Sequence, residues 1–296
     1  MYNRSKRGGG IRLQAIICVV LTLLSISFLL PFVSVLSSSF VGESELIRRG
    51  SFILVPEQLN LAAYRVLLSK GSTIYQAYLV TILRVSVGTL LNLLFTATMA
   101  YGLAKKAMPG RNVVVSLVFV TMLVEGGLVP SYLLIKGLHL LDTFWVMIVP
   151  GLISAWNLII MRNFFMQLPP ELEESATMDG ASPLTVLLRV VIPLSLPTFV
   201  TIGLFYAVAH WNAWFDATIY INKPALQPLQ VFLRRVVLTM TADQLNPAMR
   251  VTLIERPTDL SLKSAVIVLT TVPILLVYPF LQKHFVKGVM IGSIKG

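Results

Sequence analysis

Cysteine is nearly absent from this sequence. Cys18 stands alone inside an apolar run, which excludes a disulfide framework and a cysteine-based metal site. Charge is scarce as well: 12% of the 296 residues are charged, against about 25% in an ordinary soluble domain. Acidic residues number 13 against 24 basic ones, for a net charge of +11. The basic residues are scattered at loop ends rather than clustered with aromatics, so nucleic acid is excluded as a partner. No stretch fits the phosphate-binding pattern G-x-x-x-x-G-K-[ST] or the zinc-protease pattern H-E-x-x-H. The chain therefore has no means of its own to hydrolyse ATP, and no nucleophile sits beside a base. Tandem repeats and low-complexity tracts are also missing.

What the sequence has in abundance is apolar residues, 56% of the chain, with a mean hydropathy of +0.80. A hydrocarbon core of about 30 Å needs roughly 20 such residues per helix. Six stretches qualify, near 12–38, 76–104, 112–136, 143–162, 190–220 and 262–282, so the expectation is one all-α polytopic membrane domain over 1–296. The first stretch is long for a signal-peptide core and has no clear small-residue cleavage site, so it is read as a retained span. Arg4, Lys6, Arg7 and Arg12, with no acid among them, place the lead (1–11) in the cytoplasm by the positive-inside rule. Six spans then put the "KKAMPGR" loop, the 163–189 loop and the 283–296 tail on the same side. The loops near 39–75 and 221–261 fall outside.

The 163–189 loop contains "LPPELEESATMDGASP", the most acidic stretch of the chain. Pro169 and Pro170 can open a helix, and Glu171, Glu173 and Glu174 then fall in its first turn, where the positive end of the helix dipole favours them. Gly180 suits a left-handed cap. Ser182 and Pro183 read as the cap and first residue of the next helix. The expected result is an isolated helix of about ten residues with a small flank at Ser175, Ala176 and Thr177. Two readings are open from the residues alone: an amphipathic connector with solvated acids, or a docking element that another protein approaches closely.

The spacing Glu174-Ser175-Ala176, three residues, Gly180, nine residues, Val190, one residue, Ile192-Pro193 resembles the EAA loop of ABC importer permeases. Ser175, Val190 and Ile192 are conservative departures from that pattern. "PEQLNLAAYRVLL", "NLIIMRNFFMQLPPEL", "HWNAWFDATIYI" and "VKGVMIGSIKG" extend the resemblance along the chain to the maltose-type permeases of carbohydrate uptake. "EGGLVPSYLLIKGLHLLDTFW" is most similar to the branch for complex and uronate oligosaccharides. The resemblance implies six transmembrane helices and a cytoplasmic coupling helix, the type I importer permease fold, in the cytoplasmic membrane of a bacterium with both termini inside. It implies that Glu171, Glu174, Ser175, Ala176, Asp179, Gly180 and Pro193 serve ATPase coupling. It also implies a second permease, two ATPase subunits that carry ATP and Mg, and an extracytoplasmic solute-binding protein. No cofactor is expected in this chain.

Polar residues inside spans are the candidates for a translocation path, since burying charge in hydrocarbon is costly. Glu125 falls mid-span beside Gly126, Gly127 and Pro130, a combination able to break a helix next to water. Tyr206, His210 and Trp214 recur every four residues and are expected on one face of the fifth span, with Asn212 and Asp216 nearby. Asn157 is the candidate from the fourth. Alternative roles are an interfacial aromatic belt for Tyr206 and Trp214 and an Arg84–Asp216 ion pair. The rival class is a proton-coupled secondary transporter using Glu125, His210 and Asp216, which is expected to show internal repeats with paired broken helices; none are evident.

Overall fold

Some of the long apolar runs form unbroken helices, and others form bent pairs. The computed structural model describes residues 6–238 and 257–293, and side-chain surroundings for 13–238 and 257–277. Among the described residues three helices are long and apolar enough to cross a membrane unbroken: Leu13–Ser38 within α1 (Lys6–Ser38), α4 (Thr73–Ala104), and Asp259–Val277 within α14 (Asp259–Ser293). At a rise of 1.5 Å per residue, the 32 residues of α4 span about 48 Å, more than the hydrocarbon thickness. Its ends therefore reach beyond the apolar layer or the helix tilts.

Three further apolar stretches are bent pairs, so the described residues hold up to six spans. The third is α5 (Arg111–Leu123) and α6 (Leu128–Gly137), which meet at 118°. Gly127, with φ +82°, supplies the backbone that α6 needs at its start. The fourth is a pair of 3₁₀ turns, Phe144–Met147 and Val149–Gly151, followed by α7 (Ala155–Phe165) at 51°. Pro150 lacks the amide that would continue the first turn. The fifth runs through α9 (Pro183–Val186), a π turn (Leu187–Val191) and α10 (Ile192–Leu194), then turns 88° into α11 (Leu196–Asn212). Pro193 and Pro197 flank that corner.

The breaks also set where the helices within each span end. The stretch expected over 190–220 includes the end of the π turn and a corner, and α11 stops at Asn212; α12 (Phe215–Tyr220) is a separate short helix. Glu125, expected in mid-span beside a helix-breaking combination, lies in the non-helical break between α5 and α6. At the start of α13 (Leu229–Leu238), the Leu229 amide donates to the Thr81 hydroxyl of α4 at 2.8 Å.

The chain divides into two compact units, Met1–Ser72 with Arg235–Val272, and Thr73–Arg234 with Pro273–Gly296. In the first, α2 (Glu43–Arg49) is held by Glu45, which accepts from the Arg49 guanidinium (2.7 Å) and the Glu57 amide (3.0 Å). Burial opposes the charge of Glu45, but these donors win and keep its carboxyl below the usual range. The ring of Phe40 stacks on Tyr64 of α3 (Ala62–Leu67), whose hydroxyl bonds Ser39 at 2.8 Å. In the second unit, α4 packs between α7 and α11. Ala97, Ala100 and Leu103 meet Leu158, Met161 and Phe165 from one side and Val191, Ile202 and Tyr206 from the other. Asp142, at positive φ, accepts from the amides of Asn222 (2.5 Å) and Lys223 (3.1 Å), and the Asn222 amide above all holds its carboxyl below the ordinary value.

Candidate functional site

Broken helices leave backbone groups without partners, and hydrocarbon offers no water to satisfy them. In this protein the missing partners come from one face of α4. Arg84, Gly88, Asn92 and Thr96 recur every four residues and so form a single stripe along the helix. Arg84 and Asn92 are 2% and 1% exposed, and Thr96 is fully buried.

Arg84 is the hub. Its Nη1 and Nη2 form a two-pronged pair with the Asp216 carboxylate of α12, with Nη1–Oδ1 at 3.2 Å. The same guanidinium donates to the carbonyls of Met147 (3.3 Å), in the 3₁₀ segment, and Ala213 (3.4 Å), where α11 has ended. Its Nε–H donates to His210 Nδ1 at 3.4 Å. Two turns on, Asn92 Nδ2 donates to the carbonyls of Gly151 (2.8 Å) and Leu152 (2.9 Å). One turn further, Thr96 and Tyr206 share a hydroxyl–hydroxyl bond of 2.7 Å, and the Tyr206 oxygen accepts from the Ser154 amide at 3.0 Å.

The orientation of the chain of bonds can be assigned by elimination. Two carbonyls fix the Asn92 amide nitrogen as the donor, so Asn92 Oδ1 must accept. His210 Nε2, 2.9 Å away, must then carry the proton. That leaves Nδ1 to accept from Arg84, so His210 is the neutral Nε2–H tautomer. Gly88 makes room for it: a Cβ there would stand 2.5 Å from His210 Nε2 and 2.8 Å from Cε1. The result is a continuous polar ladder, Asp216–Arg84–His210–Asn92, that fastens the broken fourth and fifth spans to α4.

A second constellation lies at the other end of α4. The acidic helix, α8 (Pro170–Met178), ends in a Schellman motif: Gly180, at φ +82°, donates to Thr177 O and Ala181 to Ala176 O, both at 3.0 Å. Ser182 accepts from the Thr185 amide at 3.3 Å and caps α9, as the sequence suggests. Glu171, Glu174, Ser175, Asp179, Gly180 and Pro193 are exposed, whereas Ala176 packs against the α4–α7–α11 core. Glu173 turns inward. It pairs with Lys105, whose Nζ lies 4.2 Å from the Tyr101 ring centre, and accepts from the Tyr101 hydroxyl at 3.3 Å. Partial burial pulls Lys105 below the ordinary lysine range.

Of the path candidates, Tyr206 and His210 share a face of α11, and that face meets α4; their polar atoms are paired within the protein. Trp214 departs from that face because α11 has ended. Its ring instead carries the Arg234 guanidinium at 3.8 Å and meets Phe215 edge-on at 5.6 Å. Asn212 and Glu125 are exposed, and Asn157 is buried on α7. The Arg84–Asp216 pair is present. Gly88, Asn92 and Thr96 escaped the sequence reading, although their four-residue spacing from Arg84 inside an apolar run was a signal. Among the described residues no group of histidine, cysteine or acidic side chains is arranged to hold a metal.

A helical membrane domain with broken spans, anchored on one long helix and carrying a capped acidic helix in a loop, is the architecture of an importer permease. Residues 99–291 match the family of binding-protein-dependent transport system inner membrane components, and the chain belongs to that family. It is a multi-pass permease component of an ABC-type importer, not its ATPase. It is 47% identical over 268 residues to Protein LplC of Bacillus subtilis, covering 90% of both chains. It is 42% identical to the polygalacturonan/rhamnogalacturonan transport system permease protein YtcP of the same organism, over 97% of this chain and 96% of that one. Among solved structures it superposes on a chain of a bacterial ABC transporter involved in the import of the acidic polysaccharide alginate. The TM-score there is 0.86 at 31% identity, with 96% and 99% of the two chains covered.

Proposed function

We propose that this chain is one of two permease subunits of an ATP-driven importer, and that it passes acidic oligosaccharides, such as pectin or alginate fragments, into the cytoplasm. The observation that carries the reading is the full-length likeness to the alginate importer chain, joined by that to YtcP. A second permease, two ATPase subunits holding ATP and Mg, and an extracytoplasmic binding protein complete the machine. Both termini and α8 face the cytoplasm. Glu171, Glu174, Ser175, Ala176, Asp179 and Gly180 form the surface that an ATPase subunit grips, and Pro193 marks the corner through which α8 moves α11. Glu125, Asn157, Asn212 and Trp214 face or flank the path, while Tyr206, His210 and Asp216 shape it from behind as part of the ladder.

The test is uptake by the assembled complex in vesicles. Labelled oligogalacturonides and alginate oligomers are offered against malto-oligosaccharides, with and without ATP and with a protonophore. The expected result is ATP-dependent uptake of an acidic oligomer, unaffected by the protonophore. Uptake that tracks the proton gradient without ATP would move the protein to the secondary transporters. ATP-driven uptake of the neutral sugar alone would remove the acidic specificity.

A further inference from the structure

We propose that Glu173, Lys105 and Tyr101 form a latch that makes the acidic helix and α4 move as one body, so that Glu173 is a positioning residue for the coupling of ATP hydrolysis to transport. The inference rests on the permease reading above.

Three observations carry it. Glu173 differs from its neighbours: Glu171 and Glu174 are exposed, whereas the Glu173 side chain is 19% exposed and meets both a cation and a hydroxyl. An acid needed only for the helix dipole could stay in solvent, as Glu171 does. Next, Lys105 is held from two sides, by the Glu173 carboxylate and by the face of Tyr101, a residue one turn back on α4 that itself donates to Glu173. A closed triangle of contacts fixes both distance and angle, which a single ion pair does not. Finally, the latch sits where α4 is otherwise fastened. Arg162 of α7 donates to Leu103 O at 3.0 Å, which caps the negative end of α4. Above that point α4 carries the ladder that holds the 3₁₀ segment and α12. A pull on α8 is thus delivered along α4 as well as through the corner at Ser195, and α4 holds the broken fourth span directly.

A latch of this kind predicts charge dependence that reverses on exchange. In the complete complex, Lys105→Glu and Glu173→Lys each place like charges together. Each should raise the ATP consumed per oligogalacturonide taken up by roughly tenfold, within the usual span of coupling between sites. Assembly, judged by the yield of complex from detergent, should hold. The exchange Lys105→Glu with Glu173→Lys restores opposite charges and should bring the ratio back to within about threefold of native, the signature of direct interaction in a double-mutant cycle. Tyr101→Phe, which keeps the ring and loses the donor, should act in the same direction and more weakly. Unchanged ATP per sugar in either assembled reversal would overturn the proposal, and so would an exchange no better than the worse single variant. Should the reversals fail to assemble, Lys105→Met and Tyr101→Phe carry the test: a native ratio in both would overturn it. A native complex that shows no ATP-dependent uptake would instead overturn the transport reading, which separates the two failures.

Discussion

At Arg84, polar groups from four chain segments converge on a buried guanidinium, and each donor of the ladder has an acceptor. At Glu173, beside the far end of α4, the acids of α8 stand mostly in solvent and one turns in to meet Tyr101 and Lys105. The first arrangement is costly to build and costlier to break, because an uncompensated charge in a packed apolar interior has no water to turn to. The second gives up little hydration and leaves a surface open. One helix thus has a fixed frame at one end and, on the coupling proposed above, a handle at the other.

The largest effect should come from attacking the frame. Arg84→Met strands the Asp216 carboxylate, the Met147 carbonyl and His210 Nδ1, and should destabilise the purified protein by about 3–5 kcal/mol. The readout is a lower thermal midpoint in detergent. Adding Asp216→Leu should recover part of the loss, since neither charge then remains. Full tolerance of Arg84→Met alone would erase the contrast between the two ends.

Gly88→Ala comes next in size. The added methyl overlaps the imidazole, so His210 must move and the ladder opens, at about 1–3 kcal/mol for overpacking. The same substitution in a His210→Ala background should cost almost nothing, which thermal unfolding of the two pairs will decide. An equal loss in both backgrounds would mean that Gly88 matters for some reason other than His210.

At the handle, stability and function should part company. Gly180→Leu forces a side chain into left-handed backbone, at roughly 1–2 kcal/mol, yet nothing within 4 Å of its Cβ opposes it. The thermal midpoint should fall only slightly, whereas uptake by the complex should fall much further as the close approach of an ATPase is blocked. Gly180→Asn, which tolerates the backbone better, should keep the midpoint and separate the two effects.

The smallest effect belongs to a solvent-facing carboxylate outside both regions. The Asp142 pKa is depressed in the folded state, so its contribution is complete above the ordinary value of 3.8 and is lost as pH falls toward the lower folded value. Asp142→Asn should therefore lower the midpoint slightly at pH 7, with the difference from native closing below that value. A difference that persists unchanged into acid would assign Asp142 a role unrelated to its charge.

Much of the handle was legible in the sequence, because caps are local: Pro170, Gly180 and Ser182 act on backbone within a few residues, and their spacing survives without tertiary context. The frame was less so. Arg84 and Asp216 invited pairing, but Asn92 reads in isolation as a stray polar residue, and its purpose depends on where Pro150 breaks a span about 60 positions away. Tyr206, His210 and Trp214 satisfied helical periodicity only while the helix was assumed to continue. The corner after Asn212 took Trp214 off that face. Glu173 was indistinguishable from Glu171 and Glu174 by composition, and only the position of Lys105 singles it out.

The π turn at Leu187–Val191 precedes an 88° corner, and the order of those two features sets a rule of phase. A residue in an α-helix advances about 100° around the axis. On a straight helix, losing one residue upstream spins the downstream turns about their own axis. Ahead of a right-angled corner, the same loss swings the next helix around like a crank arm, pointing it in another direction altogether. The count of residues between Gly180 and Pro193 is therefore an azimuth: it aims α11 at α4, and brings Tyr206 and His210 to Thr96 and Asn92. The π turn at Leu187–Val191 holds its extra residue as a bulge, so α11 still points at α4 with the residue in place.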